Sequence, residues 1–194
     1  MREPNTAIGE LAVWVDSRRW FFRPSLLAMS RLGTPAEIVE KFAACMGGFS
    51  RESFLISVNV LWECCTEGEP SELTGYVRTY GKWVPGKLPP EDVHSLACAL
   101  LTHGITSNVK SEDPPKKGVK QYSQEFKATE SASLAVAHLG VSEAEAWNMT
   151  MTGLVMAMRA KYHDSSKPTV KEQVAEADNT MEWLERVNAM RGNG

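Results

Sequence analysis

Four cysteines, Cys45, Cys64, Cys65 and Cys98, and four histidines, His94, His103, His138 and His163, are the residues of this 194-residue chain whose types suit nucleophilic or metal chemistry. Their spacing argues against both. Cys64 and Cys65 are neighbours on an expected helix, so their side chains diverge by about 100 degrees and cannot jointly grip one zinc ion at tetrahedral geometry. Small apolar fillers beside Trp62 are the expected role, because free cysteine is commonly buried. The cysteines are also too few and too irregularly spaced for a disulfide framework, which points to a reducing compartment. None of the histidines forms a close pair with another histidine or a cysteine; His103 and His138 fall where a helix C-terminus favours positive charge. A nucleophile at Cys98 or Ser95 would need a base oriented by a third group, and the sequence points to none. There is no Gly-rich phosphate loop, nucleophile elbow, His-Glu-x-x-His or calcium loop. No catalytic, cofactor-binding or metal-binding residue is expected, and the chain is not expected to be an enzyme.

Charge excludes a second class. Lys110, Lys116, Lys117, Lys120 and Lys127 could touch phosphates, but Glu112, Asp113 and Glu125 dilute them and no aromatic residue stands among them before Tyr122. Arg18-Arg19 reads as an exposed hairpin tip. With a net charge of −3 the chain has no global positive field, so neither nucleic acid nor an anionic membrane is an expected partner. No apolar run approaches about 18 residues, and the opening residues lack the layout of a signal peptide. A composition of 43% hydrophobic and 23% charged residues suits a globular chain with a real core.

The elements that would position any site are mostly helical. Leu11, Val13 and Val15 alternate with Ala12, Trp14 and Asp16, and Trp20-Phe21-Phe22 follows, which predicts a β-hairpin that must pack on something to be stable. A short helix over 26–32 comes next. Thr34-Pro35-Ala36-Glu37 is a capping box with proline at the first helical position, opening a helix over 35–46 that Gly47-Gly48 ends. A helix over 51–65 places Phe54, Leu55, Val58, Leu61, Trp62 and Cys65 on one face, expected to lie in the core. Residues 76–84 read as a second small hairpin or an extended loop. Pro89-Pro90-Glu91-Asp92 begins a helix to residue 103 with Val93, Leu96, Ala97, Leu100 and Leu101 buried and Gly104 as its cap.

Residues 107–118 carry charges and turn formers with little to bury, which reads as an exposed linker. The expected organisation is a hairpin plus helical domain over 1–106, a linker over 107–121 and a C-terminal helical region over 122–194. In that region a helix over 124–139 and a second over 143–162, opened by the capping box Ser142-Glu143-Ala144-Glu145, form a helical hairpin. A long terminal helix over 169–190 spaces Val170, Val174, Ala177, Met181 and Leu184 like a heptad seam, which suits a partner helix within the chain or a coiled coil between chains. The fold class expected is mostly α, with an N-terminal β-hairpin packed on a helical bundle.

Nine methionines and six tryptophans are the unusual entries in the composition. Trp147, Met151, Leu154, Val155 and Met158 line one face of the helix over 143–162 and are the candidate partner-binding residues. Such a face can be ordinary core, with methionine filling gaps, or a surface that accepts an amphipathic segment with low sequence demand.

Gly9-Glu10-Leu11-Ala12-Val13-Trp14-Val15 followed by Trp20-Phe21-Phe22-Arg23-Pro24-Ser25-Leu26 resembles the opening of tail assembly chaperones from tailed phages and gene transfer agents, a hairpin with an Arg-Pro-type step into a helix. Ala146-Trp147-Asn148-Met149-Thr150-Met151-Thr152-Gly153-Leu154 resembles a short helix in the C-terminal parts of related phage and prophage tail proteins. As a whole the chain is similar to a phage and prophage family of about this length. The resemblance implies a non-enzymatic factor that coats the helical tape measure protein before the tail tube polymerises around it. It implies action in the host cytoplasm and absence from the mature virion, with the tail tube protein and a second copy of the chain as further candidate partners. Rival expectations are a virion structural part, such as a head-to-tail connector or tail completion protein, and a small helical DNA-binding regulator.

Overall fold

The computed structural model describes residues 3–107 and 125–162. The expected terminal helix over 169–190 and nearly all of the linker over 107–121 lie outside these described residues. The fold is mostly helical and begins with an antiparallel hairpin. Strands β1 (Leu11–Val15) and β2 (Arg18–Phe22) pair so that Leu11 faces Phe22 and Val13 faces Trp20. Asp16 and Ser17 both take positive φ, 48° and 65°, the geometry a two-residue turn needs to match strand twist. Trp20 and Phe22 are buried to 1% exposure, and Leu11, Val13 and Val15 pack against the same core. The tip is exposed at Asp16, Ser17 and Arg18, and the Arg18 guanidinium is held there 3.8 Å over the Trp20 ring and 3.4 Å from the Glu72 carboxylate.

Helices α1 (Leu26–Ser30), α2 (Pro35–Met46), α3 (Arg51–Cys64), α4 (Ser71–Thr74) and α5 (Pro90–Leu101) follow, with the small hairpin β3 (Gly75–Val77) and β4 (Trp83–Pro85) before α5. Their starts are chemically marked. Ser25 accepts from the Ala28 amide, and Thr34 and Glu37 close the expected capping box. The segment after α3 joins the first hairpin: Arg23 N–H donates to Cys64 O at 2.8 Å and Thr66 N–H to Phe21 O at 3.0 Å.

The inward face of α3 differs from the expected stripe. Ser53, Ser57, Val60, Leu61 and Cys64 are buried, whereas Leu55 is 47% exposed and Phe54, Val58, Trp62 and Cys65 are half-buried. Steps of four, three, one and three residues still make one helix face, rotated toward two serines. Serine is admissible there because its hydroxyl returns to the backbone: Ser57 Oγ donates to Ser53 O at 2.7 Å, and Ser53 Oγ to Gly48 O at 2.9 Å.

Helix α5 buries Val93, Ala97, Leu100 and Leu101, and continues as one π-helical turn over Thr102–Thr106. Gly104 therefore lies inside a turn rather than capping a helix. A Cβ there would meet Met29 Sδ at 2.6 Å, so its role is the close approach of α1.

Helix α6 (Ala128–Leu134) also ends in a π turn, Ala135–Leu139, and α7 (Glu143–Asn148) and α8 (Met151–Tyr162) complete the described elements. The compact unit covers Met1–Met158; a second covers Arg159–Gly194, of which residues 159–162 are described. The expected division near 107–121 does not separate two cores. Phe126, Ala128, Ala132, Ala135, Ala146 and Leu154 belong to the cluster that holds Trp20 and Leu100, and Phe126 N–H donates to Pro35 O at 2.9 Å. No helix among the described residues is long and apolar enough to cross a membrane.

Candidate functional site

The expected helix over 143–162 is two helices. Met149 is extended (φ −70°, ψ 148°), and its carbonyl accepts from Leu26 N–H at 2.8 Å while Thr150 bridges to Ser25. Thr150 restarts the chain by accepting from Gly153 N–H at 3.0 Å, as an N-cap does. The break thus exchanges helical continuity for a tie between the α7–α8 junction and the start of α1.

This break divides the candidate residues. Trp147 lies on α7, whereas Met151, Leu154, Val155 and Met158 lie on α8. Leu154 is buried at 4% exposure and anchors α8 in the core. Trp147, Met151 and Met158 are half-buried and pack against that core, as does Met149 at the junction; Val155 is half-buried and Met156 is 43% exposed. The segment therefore has an inner edge that is core and an outer edge of thioethers, an indole and Val155 that keeps surface open.

A second apolar surface escaped sequence reasoning. Phe54 contacts Trp83 edge-on (5.3 Å between ring centroids, 76°), and Phe49 packs against Phe54 at 6.3 Å and against His94 at 5.6 Å. Phe49 is half-exposed, as are Tyr76 and Val77 on β3, which pairs with the strand of Trp83. The available signal was Gly47-Gly48-Phe49, where a helix ends and an aromatic residue is placed at once on the surface.

Residues 46–175 match the model of DUF6246, a family of unknown function. The chain belongs to the DUF6246 family. No curated protein and no solved structure matches it. In this DUF6246 protein the matched span runs from the end of α2 through α8, so it contains the Trp147–Met158 segment and the rings around Phe49, whereas the first hairpin precedes it.

The histidines of the DUF6246 protein are less scattered than their sequence positions suggest. His94 and Cys98 stand one turn apart on α5, with Sγ 3.6 Å from Nε2, and His94 Nδ1 is 3.1 Å from Ser57 Oγ on α3. Buried Cys45 lies beside them, its Sγ 3.9 Å from Ser57 Oγ, and its carbonyl oxygen 3.6 Å from Cys98 Sγ. A histidine four residues before a cysteine on one helix was the overlooked signal. Burial pushes all four thiols up from their ordinary range, Cys64 furthest. His103, expected as a cation at a helix end, instead packs against Gly9 and has Nδ1 3.0 Å from Thr152 Oγ1; burial lowers its pKa. His138 is exposed.

Among the described residues no group of three or more His, Cys, Asp and Glu side chains is arranged to hold a metal ion. Of the lysine cluster only Lys127 is described, and it pairs with Glu125 at 3.5 Å and Glu130 at 3.3 Å.

Proposed function

We propose that this DUF6246 protein is a tail assembly chaperone of tailed phages and prophages, which binds and solubilises the tape measure protein in the host cytoplasm and is left out of the finished virion. The observation that carries this reading is the outer edge of the Trp147–Met158 segment, where Trp147, Met149, Met151 and Met158 stay partly open while buried Leu154 holds α8 in place. Unbranched thioethers adapt to helices of varied sequence, as a chaperone for a long helical client requires. Each apolar side chain buried against the client contributes about 1.5 to 3 kcal/mol before ordering costs, so a few contacts give an affinity from which the client can be released. The hairpin-to-helix step that resembles tail chaperones is a joined unit, because Glu10 and Arg23 are ion-paired across it.

Co-expression with the tape measure protein of the same phage tests the proposal. Soluble tape measure protein eluting in complex with this chain is the expected result; equal solubility without the chain, and no complex, overturns it. Mass spectrometry of purified particles separates a chaperone, which is depleted, from a connector, which is retained.

A further inference from the structure

The Cys98–His94–Ser57 group, outside the proposed client surface, has the geometry of an assisted thiol. Ser57 Oγ lies 2.7 Å from Ser53 O, an atom that only accepts, so the single hydroxyl hydrogen of Ser57 points there. The Ser57 oxygen must then accept from His94 at 3.1 Å, which places the imidazole proton on Nδ1. Nε2 is left with its lone pair toward Cys98 Sγ at 3.6 Å, so the thiol has two acceptors at equal distance, this nitrogen and Cys45 O, and of the two the imidazole is the base. The assignment is stiffened from two sides. Ser53 and Ser57 are fully buried on α3, and the Phe49 ring meets the imidazole edge-on at 79°. Cys98 is half-buried, whereas Cys45 beside it is buried. Burial raises the Cys98 thiol, which disfavours the thiolate and makes a base in contact useful to its reactivity.

We propose that Cys98 is a modification site at which hydroperoxides oxidise the thiol to a sulfenic acid, with His94 accepting the thiol proton and Ser57 positioning His94. The Cys98 S–H proton passes to His94 Nε2 as the sulfur attacks one peroxide oxygen. An S–O bond forms, the O–O bond breaks, and the departing hydroxide takes the proton from the imidazolium. Sulfur is oxidised by two electrons, one hydrogen peroxide is reduced, and the products are Cys98 sulfenic acid and water.

The test treats the folded full chain with hydrogen peroxide at neutral pH, traps sulfenic acid with dimedone, and follows each cysteine by peptide mass spectrometry. Cys65 is the internal reference, being half-buried, with its thiol likewise raised by burial. Cys98 is expected to label about a hundredfold faster than Cys65, the low end of what a positioned proton acceptor supplies. His94→Gln should bring Cys98 down to the Cys65 rate. Ser57→Ala should slow it with Cys65 unchanged, and Ser57→Thr, which restores a hydroxyl, should recover it. Equal labelling of Cys98 and Cys65 in the unmodified chain overturns the proposal without reference to any variant's stability. So does a His94→Gln protein that keeps its melting temperature and its Cys98 rate.

Discussion

Arg23→Met tests the hairpin-to-helix step most sharply. The Glu10 carboxylate is fully buried; its Oε1 accepts from Arg23 Nε at 2.7 Å and lies 2.5 Å from Nη2, and its Oε2 accepts from Asn5 N–H at 2.9 Å. Arg23 keeps 20% of its side-chain exposure, so the pair sits at the edge of the interior with the anion inside. Methionine preserves most of the aliphatic stem and removes the guanidinium, so the buried carboxylate loses the Arg23 half of this pair. Breaking such a pair from one side costs about 3 to 5 kcal/mol. For a unit of this size that lowers the melting temperature by about 6 to 20 °C. Adding Glu10→Gln removes the buried charge as well, and the double variant should regain much of the loss, because a buried pair replaced on both sides is close to neutral. Urea unfolding followed by tryptophan emission reads both values, provided the slope is the same in all three proteins. A loss below about 1 kcal/mol for Arg23→Met, the range of exposed pairs, refutes the reasoning. So does a double variant no more stable than the single one.

Leu154→Ala should cost about 2 to 5 kcal/mol as a core truncation, whereas Met156→Ala, 43% exposed, should stay within about 0.5 kcal/mol and weaken the complex with the tape measure protein; an intact complex would remove the outer edge of α8 from the contact. Gly9→Ala combines a φ of +87° with a Cβ placed 2.2 Å from His103 Cβ, and should cost about 2 to 4 kcal/mol in the same urea assay, an effect below about 1 kcal/mol counting against the close approach. Burial holds His103 below its ordinary pKa, so above about pH 6.5 it is neutral in both states, and as pH falls the unfolded chain takes the proton first. Stability should therefore decline from about pH 6.5 downward until folded His103 is itself protonated; His103→Gln should flatten that decline in melting temperature, and parallel pH curves would exclude the histidine as its source.

The elements legible in the sequence are those whose signals are local. The capping boxes at Thr34 and Ser142 sit where the helices begin, and Asp16-Ser17 turns the hairpin that the alternation predicts. The break at Met149 is different in kind. Thr150 followed by Gly153 is a readable N-cap, but its helix-like surroundings outweigh it unless one knows that Ser25 and Leu26, more than 120 residues earlier, supply a hydrogen-bonding partner. Pairing at that separation leaves no periodic trace. The same holds for Gly104, which reads as a cap until Met29 is seen against it.

The face of α3 shows why the thiol group was also hidden. Apolar periodicity sorts residues by class, so Ser53 and Ser57 are assigned to solvent and Leu55 to the core, the reverse of the observed burial. A serine whose hydroxyl returns to the carbonyl four residues back has its polar demand met by its own helix and packs as a residue little larger than alanine. Small residues let α3 and α5 come close, and that closeness brings Ser57 to His94. The polar contact that orients the imidazole toward Cys98 is therefore a by-product of how the two helices pack. A search for catalytic spacing fails at such a site because its members meet through packing, one from each side of a helix interface. His94 and Cys98, one turn apart on α5, are the only part of it that spacing could have shown.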